Sequence, residues 1–246
     1  MEIRRMRAFQ SLILALTGFF LLEKIWSGRI LLYINQRYVF LVLLAAIGLI
    51  ALAQVVLQER KRIGLEESGP AEKGEQLSYA NLIWLLLPLV LGISIPTRSL
   101  GTSSLPTRGI EVTAPFLLQG STGVTALDRP SGQRTVLDWI RSFHASSDPM
   151  VLNGEPVDVI GFVYHDPRLP SSQFLLGRYT VACCVADATA IGISVKWDQA
   201  AALENNRWVR VQGKMGVGQL DGQSVPLIDA EQVIFVSEPE QPYIFP

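Results

Sequence analysis

Histidine and cysteine are nearly missing from this chain of 246 residues: His144 and His165 are the only histidines, and Cys183 and Cys184, side by side, the only cysteines. Such scarcity argues against a disulfide framework, and no C-x2-C or H-x3-H spacing is present to suggest a common metal motif. Charged residues are also few, 17% of the chain, where soluble domains carry about a quarter. The sequence has no P-loop, no G-x-G-x-x-G after a strand and no G-x-S-x-G nucleophile setting. A catalytic role is therefore not expected.

Hydrophobic residues make up 49% of the sequence, and they are unevenly placed. Residues 1–109 hold 12 Lys+Arg against 7 Asp+Glu, net +5, and residues 110–246 hold 9 against 15, net −6. A basic, apolar part is joined to an acidic, more polar one. The acidic half argues against a nucleic-acid partner, because phosphate binding draws on clustered Lys and Arg.

Three apolar segments lie in the first part, with expected spans at about 8–25, 38–57 and 81–96. Tyr38 to Leu57 has 20 residues and no charge, enough for about 30 Å of helix, the thickness of a bilayer's hydrocarbon. The first segment, AFQSLILALTGFFLL, is short, with Arg4, Arg5 and Arg7 before it and Lys24 and Trp26 after it as interfacial anchors. A signal peptide is the alternative there, but Glu23-Lys24-Ile25-Trp26 follows where a small-residue cleavage site would be needed. The third segment, LIWLLLPLVLGISI, is short and interrupted by Pro88; a re-entrant segment is its alternative. Arg60, Lys61, Arg62 and Lys73 in the second loop place that loop and the N-terminus in the cytoplasm by the positive-inside rule. Three crossings then put the C-terminal domain outside. Arg29, Asn35 and Arg37 fall in the first loop, either an interfacial turn or a docking surface for another membrane subunit.

Residues 97–150 read as a linker with a short amphipathic helix. PTRSLGTSSLPTRG has a tether's composition, and a second polar stretch runs from Gln119 to Gln133. Val136, Trp139, Ile140 and Phe143 follow at helical spacing, with Ser131 as a candidate cap. From 151 to 246 strand signals recur at 157–164, 173–185, 190–197, 208–215 and 225–236, with a short helix capped by Asp198 over 198–206. Gly161 and Gly177 inside the first two strands suit the bulges or bends of a small closed barrel. The expected fold is an α+β membrane protein: transmembrane helices followed by a mostly β, OB-like five-stranded barrel, with an open sandwich as the alternative. The aromatics Phe162, Tyr164, Phe174, Tyr179, Trp197, Trp208 and Phe235 sit at alternating positions that suit a core better than a base-stacking surface.

The runs GFVYHDPRLPSSQFLLGRYTVACCVADATAIGISVKW, NRWVRVQGKM and EPEQPYIFP, with LPLVLGISIPTRSLG and TRGIEV upstream, resemble the YcgQ-like family of predicted permease subunits. That resemblance implies a bacterial, multi-pass cell-membrane protein that works beside a separate multi-span permease. It implies no particular substrate. His165 departs from the family pattern, which carries Arg there.

Chemistry-bearing residues are few. Cys183 and Cys184, read as strand residues, would face opposite sides of the sheet; they are small buried residues, redox thiols or soft-metal ligands. With His165 and Asp187 at the ends of neighbouring strands, Cys183 and Cys184 form a candidate site for zinc or copper. No other cofactor is expected. Arg178, mid-strand, is expected to face solvent or to pair with Asp158 or Asp187. Asp166-Pro167-Arg168 reads as a turn.

Overall fold

Long uncharged runs coil into helices because every backbone group is then satisfied within the segment, and three such helices form in the first part of the chain. The computed structural model describes residues 2–63, 79–105, 109–112 and 129–246. Lys73 with most of its loop, and most of the polar stretch from Gln119, lie outside the described residues. The chain divides into two units, Met1–Arg98 and Ser99–Pro246.

In the first unit, α1 (Glu2–Trp26) and α2 (Val39–Ile63) run antiparallel. Their seam is built from small residues at intervals of seven. Ser11 Oγ donates to the Ala53 carbonyl at 2.9 Å, and Ala46 and Ala53 are buried. A Cβ on Gly18 would lie 2.7 Å from Ile50 Cγ1 and 3.0 Å from the Ala46 carbonyl oxygen. Close backbone approach through small side chains is how helices associate where no hydrophobic force separates them from lipid. Arg7 pairs with Glu59 at 2.7 Å at one end of the seam. At the other end the chain reverses through two 3-10 turns, and buried Asn35 accepts from the Arg37 amide at 3.0 Å. A third helix, α3 (Tyr79–Ser94), carries Pro88 and packs against α1.

Large apolar side chains point away from this unit's interior: Phe9, Phe19, Leu44, Ile83 and Trp84 are all exposed. By length and composition two helices suffice to cross a membrane, over Arg5–Trp26 and Gln36–Glu59, whereas the apolar part of α3, Leu82–Ser94, is shorter. The third expected span, read from the sequence as short, forms the short apolar helix, and the first two expected spans lie within the long helices.

The second unit is a mixed sheet. Its strands are β1 (Pro156–Tyr164), β2 (Gln173–Thr180), β3 (Thr189–Lys196), β4 (Trp208–Leu220), β5 (Gln223–Phe235) and β6 (Tyr243–Ile244). Among the described residues these are six strands, not five. The sixth was hidden because EPEQPYIFP has no alternation; Tyr243 and Ile244 join as a two-residue parallel addition to β2. The other five pair around a ring, β1–β2–β3–β5–β4–β1, antiparallel except for β3 with β5. Closure is narrow at two seams, three residue pairs each between β1 and β2 and between β3 and β5. Where β3 diverges from β5, Glu111 bridges to Ile191 instead. The stretch with a tether's composition is docked in its described parts, since Tyr179 Oη donates to the Gly101 carbonyl at 3.0 Å, and just beyond it Glu111 exchanges backbone hydrogen bonds with Ala190 and Gly192.

Two glycines serve close approach at the β1–β2 seam, where the register runs without a shift. A Cβ on Gly161 would lie 2.6 Å from the Gly177 carbonyl oxygen, and one on Gly177 would lie 2.5 Å from the Phe162 ring. The register shift falls elsewhere, between Gln212 and Gly213 against β5.

The helix α4 (Val136–Ala145) is capped by Thr135, whose side chain accepts from Asp138 N while Asp138 reaches back to the Thr135 amide. This capping box replaces the expected Ser131 cap; Ser131 opens a separate 3-10 turn. Val136, Trp139, Ile140 and Phe143 are all buried. The helix touches β1, β2, β3 and β5, and its buried face shares one core cluster with those strands. The helix expected over 198–206 is only a 3-10 turn, Ala200–Ala202, begun by Gln199 with no side-chain cap. Ala200 and Leu203 are pulled into the core and Asn206 takes a positive φ of 69°, leaving no room for a second turn.

Asp158 on β1 and Arg210 on β4 are diagonal neighbours and form a fork at 2.7 and 2.5 Å, with Gln212 adding 2.9 Å. The Arg210 hydrogen bonds outweigh burial and hold the Asp158 carboxyl below its ordinary range. Arg168 does the same for Asp166 in the expected Asp-Pro-Arg turn, at 2.9 and 2.7 Å. A carboxyl whose pKa is depressed on folding stabilises the fold above its unfolded value, about 3.9, and loses that contribution as pH falls through the folded value. The denaturant midpoint of the barrel unit should therefore hold steady above about pH 5 and fall below about pH 4. Asp158→Asn should flatten part of that acid limb.

Candidate functional site

The cysteines lie beyond the strand that was expected to carry them. β2 ends at Thr180, and after Val181 donates to the Ile244 carbonyl the chain turns. Asp187 makes the turn. Its Oδ1 accepts from the Ala182 amide at 3.0 Å, and its Oδ2 accepts from the amides of Cys183 at 2.7 Å and Cys184 at 3.2 Å. Cys184 precedes a 3-10 turn, Val185–Asp187, and its carbonyl accepts from the Asp187 amide at 3.0 Å. Three successive amides gathered on one carboxylate abolish the strand alternation, so the two thiols converge. Sγ of Cys183 lies 3.7 Å from Sγ of Cys184.

The reading of the cysteines as small buried residues is corrected: both are free, Cys183 is exposed and Cys184 half-buried. Hydrogen bonds to Asp187 first and Cys184 second push the Cys183 thiol up to about 11. The neutral thiol is therefore its main form near pH 7, with a small thiolate fraction. Burial acts to raise the Asp187 pKa, but the Cys183 side chain and the three amides overcome it and keep the carboxylate ionised. One ligand atom from each of Cys183, Cys184 and Asp187 falls within a 4.8 Å cluster.

His165 is not in that cluster. Its Nε2 lies 2.7 Å from the Leu203 carbonyl oxygen, which only accepts, so the ring proton sits there; its backbone amide donates to Asn205 Oδ1 at 2.8 Å. His165 thus latches the loop between β3 and β4. Of the four residues proposed as ligands from sequence, three are brought together and His165 has a separate structural task.

Arg178 neither faces solvent nor pairs with Asp158 or Asp187. Its guanidinium lies over the Trp208 ring, 5.2 Å from the centroid, and donates to the Gln241 carbonyl at 3.1 Å. Burial pushes its pKa down to about 10, against the attraction of Glu238. It ties down the C-terminal tail, a role that a lone mid-strand arginine does not signal. An open cleft lined by Asn153, Lys196, Lys214, Met215, Leu227 and Asp229 offers little chemistry, since Lys196 pairs with Asp229 and Lys214 with Glu231. Phe162, Phe174 and Tyr179 are buried, as expected of core aromatics, whereas Phe235 is exposed.

Known proteins align with most of this architecture. A protein of Streptococcus mutans named "Putative two-component membrane permease complex subunit" is 24% identical over 89% of this chain and 92% of its own. The UPF0703 protein YcgQ of Bacillus subtilis is 21% identical over 96% of this chain and 99% of its own. Among solved structures, a small single-stranded DNA-binding protein from Streptomyces coelicolor is similar at 16% identity over 34% of this chain and 95% of its own, with a TM-score of 0.22, too slight a likeness to bear on function. The DUF1980 N-terminal domain matches residues 9–111 and the DUF1980 C-terminal domain residues 137–246, and with both halves matched in order the chain belongs to the DUF1980 family.

Proposed function

We propose that this chain is a non-catalytic, membrane-anchored subunit of a two-component permease, with α1 to α3 docking a multi-span partner and an OB-like module interacting with that partner or its substrate. The observation that carries this reading is the end-to-end similarity to the Streptococcus mutans protein, whose name describes such a subunit. The long apolar helices with outward-facing Phe, Leu and Trp side chains support it, since such faces need lipid or another membrane protein as cover. The ring order β1–β2–β3–β5–β4, with β3 parallel to β5, supports the OB-like reading of the module. Purification of the tagged chain from its own membranes in a mild detergent is the test. A multi-span protein should co-elute in a fixed ratio; elution alone under those conditions overturns the proposal.

The module is proposed to sit outside the cytoplasm. That location needs α3 to cross as a short span, with local thinning of the bilayer making up its length. Cys183 is an exposed reporter. In intact, chelator-washed cells a membrane-impermeant maleimide should label it, and labelling only after permeabilisation would put the module inside.

A further inference from the structure

We propose that the Cys183–Cys184 turn binds a tetrahedral d10 cation of the zinc class, held by both sulfurs and an oxygen of Asp187. The spacing of the donors carries the argument. Two sulfurs bound at about 2.3 Å to one tetrahedral ion stand about 3.8 Å apart, and the two sulfurs here stand 3.7 Å apart, the Cys183 thiol donating to the Cys184 sulfur, so a cation that replaces the thiol protons can be held with little change in their spacing. The carboxylate lies within the same 4.8 Å cluster.

The turn is also built to keep that spacing. Asp187 is fixed by the amides of Ala182, Cys183 and Cys184, the kind of support that orients metal ligands. A carboxylate has about four lone-pair sites. Oδ2 uses two on the Cys183 and Cys184 amides and Oδ1 uses one on Ala182; the remaining capacity takes the Cys183 thiol and is freed for a cation when that thiol loses its proton. Both flanks are anchored: Val181 bonds to β6, and β3 begins at Thr189. The exposure of Cys183 leaves the fourth position open to solvent or to an external donor.

Binding is balanced by proton release. A divalent ion displaces one proton from each thiol to solvent and leaves a complex of two thiolates and one carboxylate with a net charge of −1. Because each thiol must give up its proton on binding, affinity rises with pH. His165 contributes nothing to the set, since its Nε2 is committed to Leu203. The site does not rest on the permease reading: a chain that binds zinc yet elutes without a partner would overturn that reading alone.

The test uses the full chain in detergent, reduced and stripped of metal, titrated with Zn2+ against a chromophoric competitor. Cd2+ serves as a second probe for its sulfur charge-transfer absorption. One equivalent should remain after desalting, with the cadmium band present. Cys183→Ser, Cys184→Ser and Asp187→Asn should each weaken binding about tenfold or more, the double serine variant should retain none, and His165→Ala should bind as the parent does. Unchanged thermal unfolding of the serine variants would show that the loss is not a loss of fold. Three results overturn the proposal: no retained zinc in the parent, full retention in the double serine variant, or loss of binding in His165→Ala. Full retention in Asp187→Asn overturns the three-donor set.

Discussion

Trp139→Ala should destabilise the barrel unit by about 3–5 kcal/mol, the range of aromatic truncations in a packed core. Trp139 is fully buried on α4, and α4 packs against β1, β2, β3 and β5. Removing the indole empties the centre of a core that includes Ile140, Phe143, Val163, Leu176 and Ile193. Their backbones are fixed in the helix and in paired strands, so the cavity has little means to collapse. The indole Nε1 has no hydrogen-bond partner among the described residues, so the loss is one of packing and of the Arg134 guanidinium, which lies 4.7 Å from the ring centroid. Arg134 also bonds Glu155 at 2.6 Å, and shortening Trp139 removes the surface on which that arginine rests. Denaturant midpoints of the full chain, read by near-ultraviolet circular dichroism, check the size of the effect. Trp139→Phe should recover most of it; an alanine variant within about 1 kcal/mol of the parent would mean that α4 does not hold the core together.

The value of Trp139 was visible in the sequence because its spacing with Val136, Ile140 and Phe143 is a local pattern, and local patterns survive folding when a hydrophobic face has one place to go. The same holds for the strand signals at Val157, Phe174, Ile191 and Val209, and for the apolar helices whose solvent is lipid. The Cys183–Cys184 turn was not legible in this way. Its course depends on Asp187, three residues beyond Cys184, taking three amides that a strand would have spent on its neighbour. A carboxylate soon after a strand-like run is a usable signal for such a turn, and the sequence reading extended the strand through it. His165 was drawn into the metal set because strand ends looked adjacent, yet its partner is the loop at Leu203, a pairing fixed only by tertiary packing. The tail strand at Tyr243 and the tie from Arg178 to Gln241 depend on contacts between residues far apart in sequence, which no periodicity records.

Gly213→Ala should cost about 1–3 kcal/mol or more, although it adds only one methyl group. The position lies at the register shift between β4 and β5, where Gln212 faces Gln232 and Gly213 faces Ala230, so Glu231 is skipped. A Cβ on Gly213 would meet backbone: the Asp229 carbonyl oxygen, Ala230 Cα at 2.8 Å and the Asp229 carbonyl carbon at 3.0 Å. Side chains can rotate away from such a clash, but a paired strand can only move. The move is costly because of what adjoins the shift. A bulge bends the strand that carries it, and on one side of this one Leu227, Ile228 and Asp229 form the whole parallel seam with Ser194, Val195 and Lys196 that joins β5 to β3. Pushing β5 off Gly213 works against those three pairs, which complete the ring. Amides along 194–196 should then exchange with deuterium faster in Gly213→Ala than in the parent. Gly216→Ala is the control on the same strand, since its Cβ would meet only ordinary contacts at 3.6 and 3.8 Å; its midpoint should stay within about 0.5 kcal/mol of the parent. Equal effects at the two positions would mean that ring closure does not depend on the bulge.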